Sequence, residues 1–167
     1  MKGLLASFLL LALAGCAITG PVYVTVDSMA SSAAAEKRTY YLFSGRRELT
    51  LKNTQYRKYA QLTDEMLQAA GFTKTDSPDT ANVIVALIYG VDRMRDGNRM
   101  KRTSFVELAA YDWIAVRDEG VRNTIWRTEI YTAGSHGGFS RNIPMMLEAA
   151  GPYVATNMLD PVEVVID

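Results

Sequence analysis

The chain opens with an apolar segment that ends close to its only cysteine. One positive charge, Lys2, precedes a run of about ten mostly large apolar residues from Leu4 to Leu13. That length suits the core of an export signal, about 7–15 residues, and falls short of the roughly twenty that a membrane-spanning helix needs. Glycine and proline residues soon interrupt the run. We therefore predict that residues 1–15 are a cleaved signal peptide.

The residues around the cysteine indicate how the chain is attached after export. The order Leu13-Ala14-Gly15-Cys16 resembles the lipobox of bacterial lipoproteins, in which the cysteine sulfur carries a diacylglycerol and the signal is cut directly before it. The chain holds no second cysteine with which Cys16 could form a disulfide. The alternative interpretation is a coincidental cysteine in an apolar signal. We predict that Cys16 is the lipidation site and that this covalent lipid is the only attached group, with no cofactor.

A short tether follows the predicted anchor. Residues 16–21 comprise the lipidated cysteine and the tether, and five extended residues from Ala17 to Pro21 reach at most about 18 Å. Two or more acyl chains give a durable anchor, so the membrane is the first predicted partner. Ala17, rather than aspartate, resembles the sorting pattern for the outer membrane. We therefore expect a bacterial cell-envelope location, at the outer membrane facing the periplasm.

The rest of the chain, residues 22–167, is predicted to form a single globular domain. Of all residues, 49% are hydrophobic, and the formal net charge is +0. This composition is enough for a core and is not that of a disordered tether. A nearly neutral chain offers no electrostatic case for nucleic-acid binding.

Short runs of alternating or continuous apolar residues predict the strands. These runs cover residues 22–26, 38–43, 82–91, 105–116, 121–132 and 162–166. The run at 82–91 is apolar almost throughout, which favours a strand covered on both faces. A turn ending at Gly120 would join the next two runs as a hairpin and set Trp113 opposite Trp126.

Two stretches with apolar residues at helical spacing predict the helices. The first begins at Asn53 or Thr54 and runs to Ala70, with Asp64 on its solvent-facing side. The second begins at about Asn142, with Pro144 in its first turn. The order of elements predicts an α+β, or alternatively α/β, fold of two layers: a mixed β-sheet with two amphipathic helices packed mainly on one face.

The segment DRMRDGNRMKR, residues 92–102, is predicted to be a solvated connection and a possible surface-interaction site. Its basic residues are Arg93, Arg95, Arg99, Lys101 and Arg102. A basic cluster beside an anionic membrane gains about 1 kcal/mol per charge, and the short tether makes that contact geometrically possible. The alternative interpretation is a charge run that is simply solvated.

A glycine-rich stretch before the second helix holds the only histidine. It consists of Gly134, Ser135, His136, Gly137 and Gly138. Such loops at helix N-termini bind anions through free N–H groups, so the stretch is a weak anion-site candidate; the alternative is a flexible turn. Ser135 and His136 are adjacent, which does not indicate a nucleophile and its base. We predict no catalytic residues, and the scattered carboxylates predict no metal site.

Six ordered segments carry a family resemblance. They are PVYVTVDSMA (21–30), RTYYLFSG (38–45), MLQAAGF (66–72), DTANVIVALIYG (79–90), IWRTEIYTAGS (125–135) and RNIPMMLEAAGPYVATN (141–157). Together they resemble the bacterial lipoproteins of domain-of-unknown-function family 4136. The resemblance implies an exported, lipid-anchored domain with no assigned activity, and no functional residues to carry over. The basic connection at 92–104 is shorter than the Gly/Pro-rich one in close relatives, so the analogy is weakest there.

Three hypotheses for function follow from these patterns. The leading one is a non-enzymatic envelope lipoprotein, anchored through Cys16, whose domain binds a protein or another envelope component beside the membrane. The second is a small-ligand or lipid-binding module with a pocket between sheet and helices. The third is a hydrolase using Ser135 and His136. An exposed apolar or basic patch favours the first, and an enclosed apolar cavity the second.

Overall fold

Seven strands form one mixed sheet in the computed structural model, which describes residues 21–46, 49–96, 99–133 and 138–166, with only the backbone at 94–101. The strands are β1 Val22–Ala30, β2 Thr39–Ser44, β3 Thr73–Lys74, β4 Val83–Asp96, β5 Arg99–Asp112, β6 Thr124–Ala133 and β7 Val162–Ile166. Their spatial order is β3-β2-β4-β5-β6-β1-β7. β2 pairs in parallel with β3 and β4, and every other pair is antiparallel.

Two helices cover one face of this sheet, α1 Thr54–Ala69 and α2 Phe139–Ala150. α1 packs over β2 and β3, and α2 packs over β5, β6, β1 and β7. Buried residues of both helices belong to one hydrophobic cluster with the strands beneath them. The predicted two-layer α+β fold, with both helices on one face, is therefore confirmed. Neither helix combines the length and apolarity that crossing a membrane would require, within the residues described above.

Local sequence signals set both ends of α1. The Asn53 side chain accepts a hydrogen bond from the Tyr56 backbone N–H at 2.9 Å, which satisfies one of the free donors of the first turn. Gly71 follows the helix at a φ of +86°, a left-handed conformation that glycine adopts without a Cβ clash. The predicted start at Asn53 or Thr54 is confirmed, and the helix ends at Ala69, one residue before the predicted end at Ala70.

One residue of α1 is not where the sequence predicts it. Asp64 is only 8% exposed, and it is not on the solvent-facing side. Its carboxylate accepts hydrogen bonds from the Tyr40 hydroxyl at 2.9 Å and from Lys74 Nζ at 2.6 Å. Burial, with Asp64 next in effect, raises the pKa of Tyr40 well above its ordinary value. These two donors come from β2 and β3, so the carboxylate joins the helix to the sheet edge.

The second helix begins earlier than its proline suggests. α2 starts at Phe139, so Pro144 lies inside the helix and not in its first turn. The missing proline N–H removes one bond, the one to the Ser140 carbonyl near the helix start. After Ala150 the chain continues as a 3₁₀ turn over Gly151–Tyr153, in agreement with the break that the Gly-Pro pair predicts.

Alternation sorts the strand side chains onto two faces. The face under the helices, here called the covered face, includes fully buried Val24, Val26, Val83, Val85, Leu108, Trp126 and Ile130. The opposite face, here called the open face, carries no second layer among the described residues. Ile84 and Ile88 of β4 point to the open face and are half-buried. The prediction that this strand is covered on both faces is therefore wrong, because both helices pack on one side.

Residues 92–96 and 99–102 are two paired strands and not a solvated connection. β4 and β5 pair without interruption from Val83 opposite Asp112 to Asp96 opposite Arg99. Strands are recognised in a sequence by apolar residues alternating with polar ones, and this segment is charged on both faces. Each half of the segment is extended because its backbone pairs with the other half, and the sequence pattern does not reveal this pairing.

The connection between β5 and β6 is longer than the predicted hairpin turn. β5 ends at Asp112, and a π-helical turn at 115–119 precedes β6. Trp113 lies in this connection, and Trp126 is paired with Ala110 in the ladder. The predicted pairing of the two tryptophans is therefore wrong. The Asp112 side chain accepts the Ile114 backbone N–H at 3.1 Å, which turns the chain away from the strand direction.

Candidate functional site

The first strand and the basic hairpin lie at the same end of the sheet. Val24 pairs with Thr132 of β6, and Thr132 pairs with Ser104 of β5. Val22, two residues earlier, is therefore level with Arg102. We call this the tether end, because the predicted tether leads into β1 here, and the opposite end the far end.

Beyond this level the β4–β5 hairpin continues alone. The last pair between β5 and β6 is Thr103 with Ala133, so among the described residues the two hairpin strands beyond it pair only with each other. We call residues 93–102 the basic arm. Three described residues of each strand lie beyond the level of Val22 and extend about 10 Å at about 3.3 Å per residue.

The basic arm brings together all five predicted interaction residues. Arg93 and Arg102 are directly opposite each other, and both are exposed. The backbone register sets Arg95 opposite Met100, Lys101 opposite Met94, and Arg99 opposite Asp96. Like charges at directly opposed positions destabilise a hairpin, so the Arg93–Arg102 pair weakens the isolated arm.

Arg46 lies against the base of the arm. A Cβ at Gly90 would come within 3.3 Å of the Arg46 guanidinium and 2.9 Å of the Phe105 ring, so a glycine is needed there. The sequence leaves open whether Arg46 and Arg47 belong with the arm. The structure places Arg46 beside it, and Arg47 falls outside the described residues.

The open face carries a row of carboxylates across three neighbouring strands. Asp27 of β1 pairs with Glu129 of β6, and Glu129 pairs with Glu107 of β5. Arg127 forms ion pairs with Glu107, from Nε to Oε1 at 3.0 Å, and with Glu129. The Tyr131 hydroxyl also donates to Glu129. One guanidinium thus pairs with two of the three carboxylates, which leaves the row with a net negative charge.

Hydrogen bonding and burial keep the Tyr131 hydroxyl a donor. Burial, followed by the hydrogen bond to Glu129, raises the pKa of Tyr131 well above its ordinary value. Although Asp27, Glu107 and Glu129 lie in one row, the described part of the chain contains no group of three metal-ligating side chains arranged to hold an ion. The sequence does not reveal this row, because Asp27 lies 80 residues before Glu107 and 102 residues before Glu129.

Exposed apolar side chains border the carboxylate row. Tyr23, Met29 and Val165 are each more than half exposed on the open face. Register pairs exposed Tyr23 with exposed Val165, and half-buried Phe105 with half-buried Tyr131, so each pair forms a short apolar strip, whereas Met29 is paired with Arg127. Contiguous apolar surface of this kind is typical of interaction sites.

A cleft of about 620 Å³ lies at the C-terminal ends of both helices, near the far end. Its lining includes Met66, Pro152, Val154, Arg38 and Glu148. The ligand-binding hypothesis predicts a pocket between sheet and helices, but in that layer the side chains pack as a continuous core. The cleft instead opens beside the helix ends and mixes apolar with charged groups.

Two predicted sites fall outside the described residues. Cys16 and the signal at 1–15 precede the first described residue. Of the glycine-rich stretch, Gly134, Ser135, His136 and Gly137 are also outside, and Gly138 alone is described, at a φ of +80° directly before α2. The anion-site and hydrolase hypotheses therefore stay predictions.

Comparisons with known proteins give similarity at the level of the fold. No protein-family model matches the sequence, and no curated protein matches it. A solved family 4136 protein from Bacteroides thetaiotaomicron aligns with a TM-score of 0.50 at 14% identity, covering 82% of this chain and 98% of that one. The resemblance to this family is thereby confirmed for the fold.

Two further solved structures align with this chain. A PDZ domain protein from Parabacteroides distasonis aligns with a TM-score of 0.52 at 10% identity, covering 87% of this chain and 39% of that one. A PelC dodecamer from Paraburkholderia phytofirmans aligns with a TM-score of 0.49 at 14% identity, covering 80% of this chain and 99% of that one. At such identities the similarity concerns the fold alone.

Proposed function

We propose that this protein is a lipid-anchored lipoprotein of the bacterial envelope that holds its tether end at the membrane surface and presents its domain to an envelope partner. One observation carries the proposal. The strand that continues the tether from Cys16 begins at the same end of the sheet from which the basic arm projects. A fold with these two features at opposite ends would hold the arm away from the lipid.

The dimensions of the tether and the arm are compatible with membrane contact. The tether reaches at most about 18 Å beyond β1, and the arm extends about 10 Å in the same direction. Two strand spacings, about 10 Å, separate β1 from β5 sideways. An anionic surface that holds Cys16 is therefore within reach of the arm, and each basic residue near it contributes about 1 kcal/mol.

In this orientation the open face and the far end of the domain both remain accessible to a partner. With the tether end at the membrane, the open face stands roughly perpendicular to the bilayer, and the far end points away from it. The domain is thus positioned to bind a partner beside the membrane without a catalytic step. Localisation at the outer membrane, facing the periplasm, remains part of the proposal and rests on Ala17 after the lipidated cysteine.

Vesicle binding tests the contact of the arm. In the mature chain carrying Cys16→Ser, the double substitution Arg93→Gln and Arg102→Gln should weaken binding to phosphatidylglycerol vesicles at low salt about thirtyfold, since two charges are lost. Co-sedimentation measures the affinity. Arg117→Gln with Arg122→Gln, in the connection at the far end, is the matched control and should change it less than twofold. Equal losses in both pairs would overturn the proposed orientation.

The anchor is tested separately in cells fed a labelled fatty acid. The wild-type chain should incorporate the label and fractionate with membranes, and Cys16→Ser should accumulate as unlabelled precursor. The arm variant is the control here, because its anchoring cysteine is intact and it should be labelled like the wild type. Equal labelling of Cys16→Ser would refute the anchor without touching the vesicle result.

A further inference from the structure

We propose that the open face is the docking surface for a protein partner that presents a lysine or arginine flanked by apolar residues. This inference rests on the proposed role as a binding module and identifies the surface and the chemistry of its partner. The occupant is a cationic protein segment, held by the carboxylate row and by the apolar strips beside it.

Uncompensated charge is the first observation behind this proposal. Glu129 lies directly between Asp27 and Glu107 in the ladder, and like charges directly opposed destabilise a sheet. Arg127 forms ion pairs with Glu107 and Glu129. Among the described residues, Asp27 has no cation within ion-pair distance. A positive group supplied by a partner would complete the row, and this is charge complementarity of the kind that selects partners.

A depression beside the row has the size of a side chain. It has a volume of about 230 Å³ and is lined by Asp27, Met29, Arg127 and Glu129, with Asn157 and Met158 at its rim. It forms where β7 no longer flanks β1, and the Met158 backbone N–H bonds the Ser28 carbonyl at 2.9 Å in its place. The exposed carboxylate of Asp27 thus lines a recess together with the apolar side chains of Met29 and Met158.

The exposed apolar side chains explain why the partner is a protein and not a small cation. Tyr23 and Val165 form one exposed strip of the face, and the ring of Phe105 stands beside Tyr131. A small cation would leave these side chains in water, whereas a protein surface would cover them together with the charges. The face from β4 to β7 has an area on the order of 500 Å². This is below the roughly 800 Å² per partner of a stable interface and suits a transient contact.

Site-specific photo-crosslinking in the native envelope tests the proposal. Benzoylphenylalanine replaces Thr25, which lies on the open face between Tyr23 and Asp27, and in a matched variant it replaces Gln61 on the exposed side of α1. We expect a crosslinked protein from position 25 and none from position 61. The crosslinked partner peptide should contain lysine or arginine within a few residues of the attachment point.

Neutralising one carboxylate separates a binding role from a structural one. Asp27→Asn should reduce the crosslink from position 25 about tenfold, the loss of one hydrogen bond to a charged group. The same change should leave the melting temperature unchanged or raise it, because it removes a repulsion. Asp76→Asn, an exposed aspartate just after β3 at the opposite edge of the sheet, is the control and should change neither quantity.

Each other outcome counts against the inference. No crosslink at position 25, or a crosslink insensitive to Asp27→Asn, overturns it. A crosslinked peptide from a second copy of this chain identifies self-association instead, and a peptide without a basic residue rejects the stated chemistry. Fatty-acid labelling and vesicle binding do not depend on Asp27, so failure here is distinguishable from failure of the proposed function.

Discussion

The two faces of the sheet meet at neighbouring residues of β6 and are stabilised in different ways. Trp126 is fully buried under the helices, whereas Arg127, the next residue, lies on the open face with about 43% of its side chain exposed. Apolar burial is non-directional and adds up over the covered face. The open face holds charges at fixed positions in contact with water. The covered face therefore sets the stability of the domain, and the open face contributes little to it.

The largest expected effect tests the covered face directly. Trp126→Ala should lower the free energy of unfolding by about 3–5 kcal/mol, because it removes a fully buried aromatic side chain and leaves a cavity. Met29→Ala, on the open face, should cost less than about 0.5 kcal/mol, since its side chain is more than half exposed. Urea unfolding of both variants measures the two values. Similar losses would show that the open face is packed in solution.

The next largest loss of folding free energy is expected when the tyrosine hydroxyl is removed from a tyrosine–carboxylate pair. There is one such pair on each face. Tyr40→Phe leaves buried Asp64 with one donor fewer and should cost about 1–3 kcal/mol at neutral pH. Tyr131→Phe removes the donor to half-buried Glu129 and should cost under about 1 kcal/mol. Denaturant titration at pH 7 measures both, and an inverted order would contradict the assignment of the faces.

The same two tyrosines predict how the stability difference between the wild type and each phenylalanine variant depends on pH. The folded-state pKa of each tyrosine is raised above the ordinary value of 10.0, so the folded state retains a proton that the unfolded state loses. The stability of the wild type should then fall as pH rises above about 10. The gap between the wild type and either phenylalanine variant should shrink over that range. A gap that stays constant above pH 10 would show that the hydroxyls are not protonated donors.

The smallest expected change in the free energy of unfolding comes from Arg127, the cation that pairs with Glu107 and Glu129 on the open face. Arg127→Gln should cost about 0.5–1 kcal/mol at low salt, because Glu107 and Glu129 then face each other without a cation. The loss should shrink in 1 M salt, where exposed charges are screened. Thermal unfolding at both ionic strengths measures it. A loss that is independent of salt would mean that Arg127 acts through packing of its stem.

The sequence predicts the elements whose signals are local. Asn53 and Gly71 set the ends of α1 through hydrogen bonds within a few residues, and the alternation of β1 is visible in its own valines. The basic arm is not recognisable as a hairpin in the sequence, because its strands carry charges where a strand pattern needs apolar residues. Its register against a partner strand is what makes it extended.

The candidate surfaces depend on contacts that no local pattern contains. Asp27, Glu107 and Glu129 become neighbours only through the order β5-β6-β1, which brings the first strand beside strands from the second half of the chain. The burial of Asp64 cannot be predicted from the helical pattern, because it too depends on residues distant in sequence. Helical spacing places it near the edge of the apolar stripe, and Lys74 and Tyr40, which make its burial tolerable, come from other elements.

The position of β1 in the sheet has a consequence for how the chain folds. Its neighbours are β6 and β7, and the Ser28 and Thr128 hydroxyls that meet across β1 and β6 are 100 residues apart in sequence. Contacts this distant close large loops, and chains rich in them fold slowly. The strand next to the tether therefore waits unpaired until the C-terminal third of the chain is available. For the export proposed above, this order of pairing is favourable, because β1 would stay unpaired until the C-terminal third of the chain has crossed the membrane.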